Sequence, residues 1–308
     1  MNVLITGAAG FIGSHATDFF LKEDYNVIGV DNFTYAGNKK NLFNALKSDK
    51  FKLYEYDICE TEKIRNICVD NNIEWILNFA AETHVDNSIV NSDKFIKSNI
   101  LGVKSLLEVC RKINIKFFQI STDEVYGSTE SGIFFENNKL DPKNPYSATK
   151  ASAEHYVKAY NNTYGVEYLI VRPTNNIGER QNQEKFFPTI LNCINSGIKI
   201  PIYDKGYQIR EWLYVKDNVR AIEYILRNSE LNEVYNIGSN NETKNIDFVE
   251  KICSIKNISL AKSVEFVKDR PGHDFRYSVS NKKLAKLGFD DYMTLDEILY
   301  ELVPKTGV

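Results

Sequence analysis

Tyr146 and Lys150 stand four residues apart in NPYSATK, and Thr122, Asp123 and Glu124 stand together in STDEVYG. Four residues is close to one helical turn, so on a helix the tyrosine and the lysine share a face. A phenol with an ordinary pKa of about 10 is a poor base at neutral pH. An ammonium one turn away favours the phenolate and is expected to draw the tyrosine towards the working range. Two adjacent carboxyls repel each other's charge, which splits their pKa values and suits one to be an acid and the other a base. An isolated YxxxK pair is usually ordinary helix surface, and an Asp-Glu pair usually a charged loop. Their common neighbourhood is what makes them candidates here.

The elements that must position these groups are readable on either side. Lys116–Ile120 is a short apolar run with aromatic and β-branched residues, expected to be a buried strand ending at Ser121-Thr122. The trio then falls at the carboxyl end of a parallel strand, where open α/β sheets bind ligands. Pro145 before an Ala/Ser/Lys-rich segment predicts a helix from about Tyr146 to Tyr164, and a second helix is expected over about Asp93–Ile113.

The chain begins in the same alternating style. Asn2–Thr6 predicts a strand, followed by Gly7, Gly10 and Gly13 in a GxxGxxG turn and a helix to about Lys22. Glycines there allow a tight turn and close approach of backbone to a pyrophosphate, which the helix N-terminus favours. The next strand, Asn26–Val30, ends at Asp31, placed to accept hydrogen bonds from both hydroxyls of an adenosine ribose and to repel a 2′-phosphate. That favours NAD over NADP. Phe51–Tyr56 leads to Asp57 and Ile58, an expected adenine contact, and Glu74–Phe79 leads to Ala80 and Ala81, small enough to lie against the nicotinamide side.

Composition bounds the rest. With 308 residues, 43% hydrophobic and 26% charged, the chain has material for a large core and two domains. A net charge of −3 argues against a bulk nucleic-acid binder. Cys59, Cys68, Cys110, Cys193 and Cys253 follow no metal or disulfide pattern, so free thiols, a reducing cytoplasmic setting and no metal site are expected. Met1–Thr6 lacks the basic flank and long apolar stretch of a leader, and no apolar run approaches a membrane span.

GAAGFIGS, DNFTYAGN, FAAETHVDNSI, STDEVYG and PYSATKAS together resemble the extended short-chain dehydrogenases, and within them the nucleotide-sugar 4,6-dehydratases. RPTNN, EKFFP, PIYDKGYQIREWLYV, YNIGSNNETKNI and DRPGHDFRY extend the resemblance, in order, over essentially the whole chain. It implies an α/β fold: a doubly wound parallel Rossmann sheet with a smaller C-terminal α/β substrate-binding domain. The NAD-binding domain would span residues 1–176, with 212–238 returning to it, and 177–308 would bind the nucleotide sugar. A homodimer joined through a four-helix bundle of the two long helices is also implied.

The chemistry implied is water loss across C5 and C6 of a hexose. A C5 hydrogen is not acidic until C4 is a ketone, so NAD takes a hydride from C4 and later returns it to C6. Tyr146 would be the oxidation base, assisted by Lys150 and by a hydrogen bond from Thr122. The resemblance makes Asp123 the elimination acid and Glu124 the base. It adds Phe11, Ile12, Asn32, Phe33, Thr34, Ser98 and Asn176 to the cofactor contacts. The substrate would touch Thr83, Asn175, Lys185, Phe186, Pro201, Ile202, Tyr203, Asn245, Asp269, Arg270, Pro271, Gly272 and His273. Arg210 is the phosphate candidate, since a guanidinium can bind two oxygens at once, and Tyr203 could stack on a pyrimidine.

Asn87 departs from the arginine usual in the dTDP-glucose enzymes and looks more like the UDP-glucose ones. Ile177 replaces an aromatic, and Gln183 a proline. DRPGHD and QIREWLY favour dTDP-glucose over UDP-glucose. The rival readings are a decarboxylase or 4-epimerase on the same scaffold, a GDP- or CDP-sugar dehydratase, and a non-catalytic NAD-binding regulator.

Overall fold

The structure, a computed structural model, describes residues 1–269 and 273–304. Its larger sheet has seven parallel strands: β1 (Asn2–Thr6), β2 (Asn26–Asp31), β3 (Phe51–Glu55), β4 (Trp75–Asn78), β5 (Lys116–Ile120), β6 (Tyr168–Pro173) and a late strand, Glu233–Ile237. Their spatial order is the late strand, β6, β5, β4, β1, β2, β3. Strand order therefore reverses between β1 and β4, and a crevice opens above their carboxyl ends.

The helices between these strands are α1 (Phe11–Lys22), α2 (Thr61–Asp70), α3 (Val85–Val90), α4 (Asp93–Phe95), α5 (Val103–Ile113) and α6 (Pro145–Tyr164). Both faces of the sheet are covered, so its central strands read as continuous apolar runs; Val3, Leu4, Ile5, Ile76, Leu77, Phe117 and Phe118 have no exposed surface. The helix expected over Asp93–Ile113 forms with a π-helical stretch, Ile96–Gly102, between α4 and α5. That stretch packs tightly below: a methyl on Gly102 would lie 2.4 Å from the Ile58 side chain.

The second half adds β7 (Asn175–Ile177), α7 (Phe186–Ser196), β8 (Ile200–Tyr203), β9 (Ile209–Tyr214), α8 (Val215–Asn228), β10, which is the late strand Glu233–Ile237, β11 (Glu242–Lys244), α9 (Asn245–Ile255), α10 (Leu260–Ser263), β12 (Val264–Val267), α11 (Lys282–Leu287) and α12 (Leu295–Leu302). A three-stranded sheet runs β11-β9-β7, and β12 pairs with β8. The segment expected to rejoin the first sheet therefore divides. α8 packs on α1 and β10 pairs in parallel with β6, whereas β9, which holds Trp212, pairs with β7 and β11. Trp212 lies 4.1 Å from Phe248, ring centroid to centroid, inside the core of the smaller lobe, and that stacking holds β9 there.

Candidate active site

The glycine turn sits at the reversal point. Gly7 has φ +65°, and a methyl on Gly13 would stand 2.1 Å from the Gly7 carbonyl oxygen, so neither position accepts a side chain. Twenty-four residues beyond Gly7, Asp31 is folded back onto this turn. Its Oδ2 accepts from the Ala9 amide at 2.9 Å and its Oδ1 from the Phe33 amide at 2.8 Å. Burial raises the Asp31 pKa, and these two hydrogen bonds oppose the rise.

A cavity of about 520 Å³ follows the crevice from this turn to the end of β5. Its walls include Gly7, Gly10, Phe11, Ile12, Gly13, Asp31, Asn32, Thr34, Asp57, Ile58, Ala80, Ala81, Ser98 and Asn176. Thr83, Thr122, Asp123, Glu124, Tyr146, Lys150, Asn175 and Lys185 line its other end. A bare backbone cradle continuous with a buried carboxylate suits a pyrophosphate and a ribose, so these residues fit a dinucleotide.

β5 delivers the Thr122-Asp123-Glu124 trio. Thr122 caps a short 3₁₀ turn, Asp123–Tyr126, accepting from the Glu124 amide, and donates its hydroxyl to Asp123 Oδ1 at 3.1 Å. Asp123 is 3% exposed, and its Oδ2 has no hydrogen-bond partner among the described residues. Burial, reinforced by the charge of Glu124, pushes Asp123 well above the usual carboxylate range, which favours the protonated acid. Glu124 Oε2 lies 3.5 Å from both Asn144 Nδ2 and the Tyr277 hydroxyl.

α6 delivers the other pair. Asn144 and Ser147 form a reciprocal capping box with Pro145 in the first turn, fixing where the helix starts. Lys150 is buried, donates to the Ile120 carbonyl at 2.6 Å, and is lowered to about 8 by desolvation. Tyr146 is buried and hydrogen-bonded with Thr122. Its pKa moves opposite to the expectation: burial, then the charges of Glu124 and Asp123, raise it well above the ordinary value. Desolvation of the phenol dominates.

Other expected contacts sit outside that cavity wall. Phe33 serves through its amide on Asp31. Phe186 stacks against Trp212 and Phe248 in the smaller lobe's core, and the Ile202 side chain is 1% exposed there because β8 alternates inward and outward. Pro201 and Tyr203 take the outward positions. The Arg210 guanidinium, expected on phosphate, donates to the backbone carbonyls of Ile209, Asp274 and Phe275. Tyr203 meets the His273 ring edge-on at 5.6 Å, and His273 Nδ1 lies 2.6 Å from Asp269 Oδ1. Asn245 begins α9 with its Oδ1 buried and without a partner among the described residues. Arg270, Pro271 and Gly272 lie outside the described residues.

A wall residue, Tyr35, and a residue that holds another part of the wall, Asn99, escaped the sequence reading. Tyr35 leaves the β2 loop to hydrogen-bond with Thr83 and Glu184, and Asn99 holds the backbone of Glu82 through both its N–H and its carbonyl. The motif DNFTYAGN contains Tyr35, but no periodicity marks a loop side chain. Behind the site, Arg172 and Glu154 form an ion pair at 2.6 Å with 1% and 0% side-chain exposure, and Ser121 donates to the same carboxylate. No group of metal-ligating residues occurs among the described residues.

The profile of the GDP-mannose 4,6 dehydratase family matches residues 4–302. The low-salt glycan biosynthesis protein Agl12 of Haloferax volcanii is 41% identical over 96% of each chain. The dTDP-glucose 4,6-dehydratase of Salmonella typhimurium is 38% identical, covering 96% of this chain and 90% of its own. A trifunctional UDP-glucose 4,6-dehydratase of Arabidopsis thaliana, RHM2, is 39% identical over 94% of this chain and 44% of its own. DesIV, a dTDP-glucose 4,6-dehydratase of Streptomyces venezuelae solved with NAD bound, superposes with a TM-score of 0.95 at 34% identity, over 98% of this chain and 96% of its own. The chain belongs to the GDP-mannose 4,6-dehydratase family and is an enzyme of the nucleotide-sugar 4,6-dehydratase type.

Proposed function

We propose that this enzyme converts dTDP-glucose to dTDP-4-keto-6-deoxyglucose. The observation that carries the reading is the buried Asp123, with a bare Oδ2, beside Glu124 and one hydrogen bond from the Thr122 that meets Tyr146. Oxidation alone needs no second carboxyl, whereas elimination needs both an acid and a base.

NAD is the cofactor; when bound it takes the C4 hydride and gives it back at C6, so no net redox occurs. Gly7 to Gly13 would hold its pyrophosphate, Asp31 its adenosine ribose, and Asp57 and Ile58 its adenine. Tyr146 takes the C4 hydroxyl proton while Thr122 holds that oxygen. Lys150, fixed on the Ile120 carbonyl, presents its charge along the same helix face. Glu124 takes the C5 proton that the C4 ketone has made acidic. Asp123 protonates the departing C6 hydroxyl.

Residues 1–176, with α8 and β10 returning to them, hold the dinucleotide in this reading, and the rest grips the nucleotide sugar. Asn175 and Asn245, each with a bare buried Oδ1, and Lys185 supply polar contacts. Arg210 holds the Asp274 and Phe275 carbonyls, and Tyr203 would stack on the pyrimidine. Support for dTDP comes from the Salmonella and Streptomyces relatives, and for a second reading, UDP-glucose, from the Arabidopsis one. Exposed Ile96, Leu101, Tyr156 and Tyr164 on the two long helices support pairing as a homodimer. Five free thiols suit a cytoplasmic setting.

Incubation with dTDP-glucose and, separately, UDP-glucose, with products weighed by mass spectrometry, tests the reading. Loss of one water from the dTDP sugar alone is expected. Loss mainly from the UDP sugar moves the base preference towards Asn87 and the 177–183 loop. Water loss from neither overturns the substrate assignment.

A further inference from the structure

Tyr277 follows Asp274 in a segment late in the chain that reaches Glu124. It is 3% exposed. Its hydroxyl donates to Asp274 Oδ2 at 2.5 Å, and the same oxygen lies 3.5 Å from Glu124 Oε2. The Arg210 guanidinium sits 4.6 Å from the Tyr277 ring and binds the Asp274 and Phe275 carbonyls, locking the segment in place. Among the described residues, Glu124, Asp274 and Arg210 are the charged groups acting on this hydroxyl.

A phenol has one proton to give and two lone pairs to offer. Asp274, an ångström nearer, takes the proton. What the phenol turns to Glu124 is therefore a lone pair, which gives an ionised carboxylate no hydrogen bond. Once Glu124 has gained a proton, the same lone pair accepts a hydrogen bond from it. We infer that Tyr277, oriented by Asp274, is a positioning residue that favours the protonated Glu124 formed as the C5 proton is removed. The interaction exists only as elimination proceeds, so it lowers that barrier and leaves substrate binding untouched. This rests on the reading of Glu124 as the elimination base.

The test is Tyr277→Phe, which keeps the ring over Arg210 and removes the hydroxyl. Turnover of dTDP-glucose should fall about ten- to a hundredfold, a share of what general base catalysis contributes, with KM within about twofold. NADH absorbance should build up on the enzyme, because oxidation outruns elimination. Asp274→Ala, which removes the acceptor and leaves the Tyr277 proton free to bond Glu124 and weaken it as a base, should also accumulate NADH, and it decides the matter if the phenylalanine variant does not fold. Wild-type turnover in both variants, or slowed turnover without NADH, overturns the inference. Glu124→Gln run alongside separates the two levels: NADH accumulation there keeps Glu124 as base even if Tyr277 fails, and normal dehydration there sinks both.

Discussion

The Lys150 ammonium donates to the Ile120 carbonyl at 2.6 Å, tying the first turns of α6 to the end of β5. This bond brings the YxxxK face and the Thr-Asp-Glu trio into one site. It also places a cation where water does not reach, and desolvation lowers Lys150 to about 8.

That burial has a pH signature. Below about 8, folded and unfolded chains both carry the Lys150 proton, and the folded state bears the full cost of a buried charge. Between 8 and the ordinary 10.5 the unfolded chain binds more protons, so stability rises with pH as this cost is shed. Lys150→Met should thus be the more stable protein at pH 7 by about 2–4 kcal/mol, less roughly 1 kcal/mol for the lost hydrogen bond. The gap should close towards pH 10.5. Urea melts of both proteins at pH 7 and pH 10 check this; a gap that widens with pH refutes it.

Burial contributes most to holding the proton on Tyr146, and neighbouring charge adds to it. Glu124 and Asp123 both raise the phenol's pKa. Asp123→Asn with Glu124→Gln should block water loss, let NADH accumulate, and shift the pH midpoint of NADH formation downwards relative to wild type. Rapid mixing over a pH series reads all three. An upward or absent shift contradicts the coupling, and normal dehydration removes the acid and base assignments. Tyr146→Phe should give neither NADH nor product.

The glycine cradle admits no methyl. Gly13→Ala would force its Cβ against the Gly7 carbonyl at 2.1 Å. Overpacking of this kind costs about 1–3 kcal/mol, and the displaced turn should leave the purified protein without cofactor. Calorimetry and the absorbance of released NAD measure the two effects. A variant that keeps both its melting temperature and its NAD would show that the turn can give way.

Behind the site, breaking the Arg172–Glu154 pair by Glu154→Leu should cost about 3–5 kcal/mol, because a guanidinium is left buried and unpaired. Adding Arg172→Met should recover much of that loss. Because Ser121 also donates to Glu154 and precedes Thr122, the stable double variant should still be slower than wild type. Denaturation midpoints and turnover, measured on all three proteins, test the pair.

Much of this protein was legible along the chain. Apolar runs bounded by glycine, and an acidic residue at the end of β2, are local signals, and local signals suffice for a parallel sheet with a dinucleotide turn. Tyr146 and Lys150 are four apart on any helix, and Pro145 marks where that helix begins. What the chain could not state were relations between distant segments. Trp212 reads as a strand residue in either sheet; only its stacking on Phe248 assigns β9 to the smaller lobe. Arg210 reads as a phosphate ligand, and no spacing shows that three backbone carbonyls also accept from its guanidinium. Tyr35 and Tyr277 belong to loops without periodicity, brought to the site from opposite ends of the chain. The direction of the Tyr146 shift belongs to the same class. The neighbouring lysine is visible in the sequence, but the energy of ionising a phenol depends on how much water the fold excludes. Residue type and spacing determined which chemical groups were present. Burial, which only tertiary packing decides, determined which of them hold a proton.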